Sequence, residues 1–355
     1  MRGFSNTKKP LGNTTDDVGG AISACGAALA RVNIVQRIRL KGDAMKAVLL
    51  TEHGGPEKLV YGDAPDPGAG PGEVVVDVHA ASVNAADYKV RLGPGAYSGA
   101  SNLSFPYILG RDFSGTVSAL GPGVTDFKIG DAVFGVMDAG IEGCYAEKIK
   151  IAAAIIAKKP DNLGHAEAAA MALTSLTAIW ALEDTAKLRR GETILIQGGA
   201  GGVAGFAIQL AKHIGAEVIT TASARNHDYV KKLGADRVID YNAEDFTKTA
   251  GNCDVVFDTV GGEVQARSYS VLKPGGRLVW IAPASAGFQP PRSDVEVLRP
   301  RVARDRAHLE RMNELLAAGA VWPPAITRYK LADAAEAHRV SEGRHLQGKL
   351  VLMVR

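Results

Sequence analysis

The chain has 355 residues, 46% of them hydrophobic and 22% charged, with 41 glycines and a net charge of +3. This balance buries an ample core, excludes wholesale disorder, and at this length predicts two domains. Aromatics at 6% with no basic-aromatic stripe argue against a polynucleotide partner. Cys25, Cys144 and Cys253 form no CxxC pair, which argues against a disulfide framework and a sulfur-ligated zinc, and fits a reducing cytoplasm.

Residues 1–44 carry seven basic and three acidic residues, so the remaining body is near neutral. Their uncharged run, Val18 to Ala30, is shorter than the roughly 18 residues that span a bilayer. The paired Asp16 and Asp17 do not suit a secretory leader. This segment reads as a loose extension, with an organelle-targeting stretch as the alternative, and the folded body is predicted from Met45. Short β-branched runs between Gly/Pro turns predict strands at 47–50, 59–61, 73–81, 113–119, 132–136 and 147–151. The Ala-rich stretch from Ala166 to Leu182 predicts a helix.

After it, apolar strands at 193–196, 217–221, 237–240, 255–259 and 277–281 alternate with helices at 203–214, 226–233 and 263–271. That alternation predicts a doubly wound parallel sheet, an α/β arrangement, covered on both faces. A charged helix follows from about Arg304 to Ala318, and the last strand, 349–354, is predicted to return to the β-rich module. The predicted units are 45–165, 166–283 and a returning 284–355.

The run Gln197-Gly198-Gly199-Ala200-Gly201-Gly202-Val203-Ala204-Gly205 leaves an apolar strand and opens a helix. Gly199, Gly201 and Ala204 satisfy GxGxx[G/A], with Ala200, Gly202 and Val203 completing the turn. In this context the pattern serves a dinucleotide: a tight turn, bare backbone against a pyrophosphate, and a small residue where helix meets strand. At the tip of the next strand, where an acid would hold a ribose 2′-hydroxyl, the chain offers Ser223 and Arg225 and no carboxylate. Donors and a positive charge suit a 2′-phosphate, so NADPH is expected over NADH.

These residues resemble the medium-chain dehydrogenase/reductase superfamily, and within it the zinc-free NADPH:quinone oxidoreductases akin to zeta-crystallin. Further landmarks run from Met45-Lys46-Ala47-Val48 through Asn84-Ala85-Ala86-Asp87, Gly110-Arg111-Asp112-Phe113-Ser114-Gly115, Gly130-Asp131-Ala132-Val133 and Leu176-Thr177-Ala178. They continue with Asp258-Thr259-Val260-Gly261-Gly262, Lys273-Pro274-Gly275-Gly276-Arg277 and Gly348-Lys349. The resemblance implies a Rossmann sheet plus a β-rich GroES-like catalytic domain.

Zinc-dependent members hold the metal with Cys and His where this chain has Asn84 and Arg111, so the resemblance implies no zinc. Without a Lewis acid the acceptor must delocalise its own charge, as quinones and α,β-unsaturated carbonyls do. By resemblance Asn84 contacts the nicotinamide ribose and polarises the acceptor, Thr177 lines the nicotinamide pocket, and Val260 and Lys349 reach the cofactor's inner half. Tyr241 lies near the adenosine. Tyr97 matches a tyrosine placed over the substrate, two residues further from Asp87 than in relatives, and Tyr88 and Arg91 are the remaining substrate contacts.

The expected activity is hydride transfer from NADPH to a quinone. The alternatives are an enone or enoyl-thioester reductase, and an NADPH-binding, redox-responsive protein with little turnover. A cytoplasmic homodimer is expected by resemblance, joined at the edge strand 277–281, with no membrane partner.

Overall fold

The computed structural model describes residues 43–138 and 140–355; the expected loose extension lies, but for its last two residues, outside the described residues. Six strands form an all-parallel sheet in the spatial order Arg237–Asp240, Glu217–Ala222, Thr193–Ile196, Cys253–Asp258, Leu272–Trp280, Glu296–Leu298. Numbered along the chain this is 3-2-1-4-5-6, the doubly wound order of two mononucleotide-binding halves. The central strands Thr193–Ile196 and Cys253–Asp258 are largely apolar and buried because helices cover both faces. Ile194, Leu195 and Ile196 are fully buried, facing alternate cores.

The β-rich part is a seven-stranded sheet and a three-stranded one. In the larger sheet Glu73–Val83 pairs antiparallel with Asp112–Leu120 on one side and with Lys349–Met353 on the other. The last strand thereby joins the first module. The smaller sheet pairs Ala44–Leu50 with Leu59–Pro65 and with Tyr107–Ile108. The Ala-rich helix His165–Ile179 is buried on nearly every side, as a helix apolar all round must be. Ala168, Ala172 and Leu176 pack in the core beneath the parallel sheet, and Ala166, Ala169 and Ala170 pack against Ala80 and Val351.

Two expectations are corrected. The parallel sheet does not stop at residue 283, since Glu296–Leu298 adds a sixth strand and Leu309, Met312 and Leu315 of the helix Arg306–Ala317 enter the core beneath that sheet. In consequence the strand containing 277–280 is interior, paired on both sides, and Glu296–Leu298 is the edge. The expected dimer edge is therefore covered within the chain itself.

A candidate dinucleotide cleft

A cavity of about 350 Å3 opens where the strand order of the parallel sheet reverses, between Thr193–Ile196 and Cys253–Asp258. In open α/β sheets ligands bind at such a switch point. Its floor is the glycine loop and the first turn of the helix Gly202–Ile214, whose unpaired N–H groups face anions favourably. Gly198 takes φ +76°, and a Cβ on Gly199 would run into the Thr220 hydroxyl. At Gly201 and Gly202, both in the cavity wall, the bare backbone is itself the surface.

Side chains hold the loop in shape. Thr221 Oγ1 accepts from Gly198 N (3.0 Å) and donates to Gln197 Oε1 (2.7 Å), and Thr259 Oγ1 donates to Gln197 O (2.8 Å). Buried Asp258 accepts from the amides of Val260 (2.9 Å) and Gly261 (3.0 Å), fixing the second strand tip. Gly348 N donates to Ala200 O at 2.8 Å, which stitches the glycine loop to the chain just before the last strand.

At the inner end the polar groups form one network. Lys349, 5% exposed, donates to Val83 O (2.9 Å) and Asn84 Oδ1 (2.6 Å). The Asn84 amide donates through Nδ2 to Asp112 Oδ1 (2.7 Å), and Asp112 accepts from Ser82 Oγ (2.8 Å). Both ends of the Asn84 amide are thus committed, so its orientation is set by its partners. Burial lowers the Lys349 ammonium from its ordinary range, with Asp112 and Asp87 opposing. Asn84 also begins the helix Ala85–Leu92, and its amide donates to Asp87 Oδ2 at 2.8 Å. Burial pushes the Asp87 carboxyl up to about 6, against the pull of Arg111.

The cavity brings together most of the residues picked from the sequence: Asn84, Tyr88, Ala200, Gly201, Gly202, Val203, Ala204, Ser223, Tyr241, Val260 and Lys349 all line it. Gly199 shapes the turn from behind. Three expectations fail on placement. The Thr177 hydroxyl turns back to donate to Leu173 O (2.7 Å), and Thr174, one turn earlier, takes the lining position. Arg225 donates to His345 O (2.8 Å) and lies off the wall. Arg91 is fully buried between Glu342, Gly54 O and His338, so it pins elements together and cannot touch a substrate. Tyr97 is not among the residues of the cavity wall; it is half-buried under the Arg111 guanidinium, whose carbon is 5.1 Å from the ring centroid, and Arg111 precedes the Asp112 that holds Asn84.

Sequence reasoning gave no site role to Lys89, which stands where some relatives have tyrosine, and missed Thr174, Arg344 and His345; all four line the cleft. The signal available was a basic residue four positions before Gly348, itself a landmark. Arg344 adopts φ +55°, a left-handed conformation that costs a non-glycine residue energy. Among the described residues the wall carries Lys89, Arg344 and Lys349 and no Asp or Glu.

Residues 70–161 match the family described as "Alcohol dehydrogenase GroES-like domain", and residues 233–352 match that described as "Zinc-binding dehydrogenase". A phthioceranic/hydroxyphthioceranic acid synthase of Mycobacterium tuberculosis is 34% identical over 80% of this chain, which spans only 14% of that much longer protein. A quinone oxidoreductase of Pseudomonas aeruginosa is 33% identical, covering 87% of this chain and 99% of its own. The solved quinone oxidoreductase of Coxiella burnetii superposes with a TM-score of 0.81 at 36% identity, over 88% of this chain and all of that one.

The zinc implied by the second family does not fit at Asn84 and Arg111. A guanidinium has no lone pair to give a metal, and both ends of the Asn84 amide are already hydrogen-bonded. Among the described residues no helix is long and apolar enough to cross a membrane.

Proposed function

This chain belongs to the medium-chain dehydrogenase/reductase superfamily and is an oxidoreductase using a nicotinamide cofactor, and from that premise we propose that it takes NADPH and reduces a quinone. The observation that carries the cofactor choice is the wall: three cations, no carboxylate, and a bare helix N-terminus. NADPH brings three phosphate groups to such a wall, and the acid that would hold a 2′-hydroxyl is missing from the tip of Glu217–Ala222. Arg344, held with positive φ in the cavity wall that Ser223 and Tyr241 also line, is the residue we assign to the 2′-phosphate.

Titration by intrinsic fluorescence should give a Kd for NADPH at least about 10-fold below that for NADH, and Arg344→Ala should close most of the gap. Equal affinities for the two nucleotides in the wild-type protein would remove the assignment.

When bound, the nicotinamide supplies the hydride. Asn84 and Lys349 then form a rigid polar wall at the inner end, with one Lys349 N–H beyond the two engaged by Val83 and Asn84. The quinone takes up the hydride and a proton to become a hydroquinone, its conjugation spreading the charge that a metal would otherwise bear. Tyr97, with its ring under a fixed cation, is the proposed proton donor.

The test is NADPH oxidation with 1,4-benzoquinone and with a cyclic enone. The quinone should be consumed faster, and Tyr97→Phe should slow the enone reaction about 100-fold while slowing the quinone much less. Faster turnover of the enone would replace the quinone reading with a C=C reductase. Cofactor binding with no turnover of either acceptor would favour a redox-responsive binding protein.

A further inference from the structure

Two arginines stand close enough to act on each other beside the inner end of the cleft, and only one has a carboxylate. Arg111, 5% exposed, stands just before the strand Asp112–Leu120, next to the Asp112 that holds Asn84. Its Nε donates to Glu142 Oε1 at 3.0 Å. Its buried Nη2 is 2.9 Å from the same oxygen, yet at an angle that makes no hydrogen bond. Arg304 reaches the same region from the segment that leads into the helix Arg306–Ala317. It donates through Nε to Met137 O (3.1 Å) and through Nη1 to Val302 O (3.0 Å). The Met137 amide in turn donates to Arg111 O at 2.6 Å, so the two arginines are tied to one residue.

The charges around them do not cancel. Glu142 answers Arg111. Asp112 is engaged by Asn84 and Ser82, with Lys349 joined through Asn84. Asp87 accepts from Tyr145 OH and Asn84 N and acts on Arg111 only at longer range. Among the described residues no carboxylate lies within ion-pair distance of Arg304, whose hydrogen-bond partners are two main-chain carbonyls. Burial first, and then the Arg111 charge, hold Arg304 below the usual guanidinium range. Asp138 and Asp112 act on Arg304 only at longer range. Arg111 is buried and Arg304 partly so, so the two cations repel in a medium poorer than bulk water, and a charge withdrawn from water without a counter-ion is costly. An oxyanion between them would remove both costs, and the planar guanidinium fork matches a carboxylate or sulfonate.

We propose that Arg304, with the unsatisfied Nη2 of Arg111 and the Tyr97 phenol, forms a binding site for an oxyanion on the acceptor, so that the preferred substrates are conjugated carbonyl compounds carrying an acidic substituent. This deepens, and rests on, the reading of the cleft as an NADPH-dependent reductase site. Arg304 acts here as a specificity residue, selecting acceptors by their charge.

The test compares kcat/KM for 1,2-naphthoquinone and 1,2-naphthoquinone-4-sulfonate at saturating NADPH. The wild-type protein should prefer the sulfonate at least about 10-fold. Arg304→Gln should bring that ratio close to one, and Arg304→Lys, which keeps the charge but not the fork, should lie between. A wild-type ratio near one, or a preference that survives Arg304→Gln, overturns the proposal. Calorimetric titration of the wild-type protein with benzoate and benzamide needs neither turnover nor a folded variant. Binding of benzoate at least about 10-fold tighter than benzamide supports the site, and equal binding refutes it. If NADPH binds and neither quinone is reduced, the quinone reading fails, while the benzoate titration still decides the anion site.

Discussion

Replacing Gly201 by valine is expected to weaken nucleotide binding about 1,000-fold, a loss of ~4 kcal/mol, while the protein stays folded. The two halves of that expectation come from the same residue's geometry. Gly201 has φ −75° and ψ 161°, extended backbone open to any residue. An added Cβ would meet nothing nearer than Gly198 O at 3.4 Å, so the native chain has room for the side chain. The room it fills is the cavity, at the point where the helix Gly202–Ile214 begins.

A diphosphate held there would bond directly to main-chain N–H groups, each charge-assisted contact contributing about 1.5–3 kcal/mol, and an isopropyl group stands it off. Gly199→Val is the contrasting variant, since its Cβ would collide with the Thr220 side chain and meet Ile208 Cδ1 at 3.1 Å; that variant should fail in folding. Fluorescence titration with NADPH, paired with a thermal melt, checks both. A folded Gly201→Val protein that binds NADPH within tenfold of wild type would mean that the phosphates do not cross this loop.

The glycine loop and the parallel sheet were legible because their signals are local: an apolar strand, a turn that only small residues can make, then an amphipathic helix. What was hidden depends on chain segments distant in sequence. Arg344 reaches the cleft because Gly348 bonds to Ala200 and carries the preceding loop across to the other sheet, and no window around residue 344 contains that fact. Thr174 and Thr177 share one helix, and which of them faces the cavity is set by how that helix sits between two sheets. The edge strand Glu296–Leu298 is three partly exposed residues following Pro290 and Pro291, too short and too polar to show a period. The helix Ala85–Leu92 is legible in hindsight from its cap alone: Asn84 and Asp87 stand at a cap position and three residues on, as a capping pair does, but the run between them and Gly93 is too short to show a helical period.

Arg91 is where resemblance and structure part most sharply, and Arg91→Leu is expected to cost about 3–5 kcal/mol of stability, seen as a fall in Tm of roughly 10 °C. The side chain is 0% exposed. Its guanidinium ties the end of the helix Ala85–Leu92 to Glu342 and His338 on the helix Ala334–Glu342, and to Gly54 O in the loop after the first strand. Leucine would leave the Glu342 carboxylate and the Gly54 carbonyl without that partner, and lysine could not span three acceptors with one nitrogen.

The same fork sets the direction of a buried chain of hydrogen bonds. Arg91 Nε donates to His338 Nδ1 (3.3 Å), so the ring proton sits on Nε2 and points to the Tyr145 oxygen (3.3 Å), and Tyr145 OH donates to Asp87 Oδ2 at 2.8 Å. His338 stays neutral because burial, and then the Arg91 charge, lower it to about 3. Asp87 accepts in turn from Asn84 N, so loosening Arg91 relaxes the support of Asn84 as well. The loss should therefore appear in Tm and in kcat, and not in the KM for a neutral quinone. A stable Arg91→Leu protein whose acceptor KM alone rises would return Arg91 to the substrate.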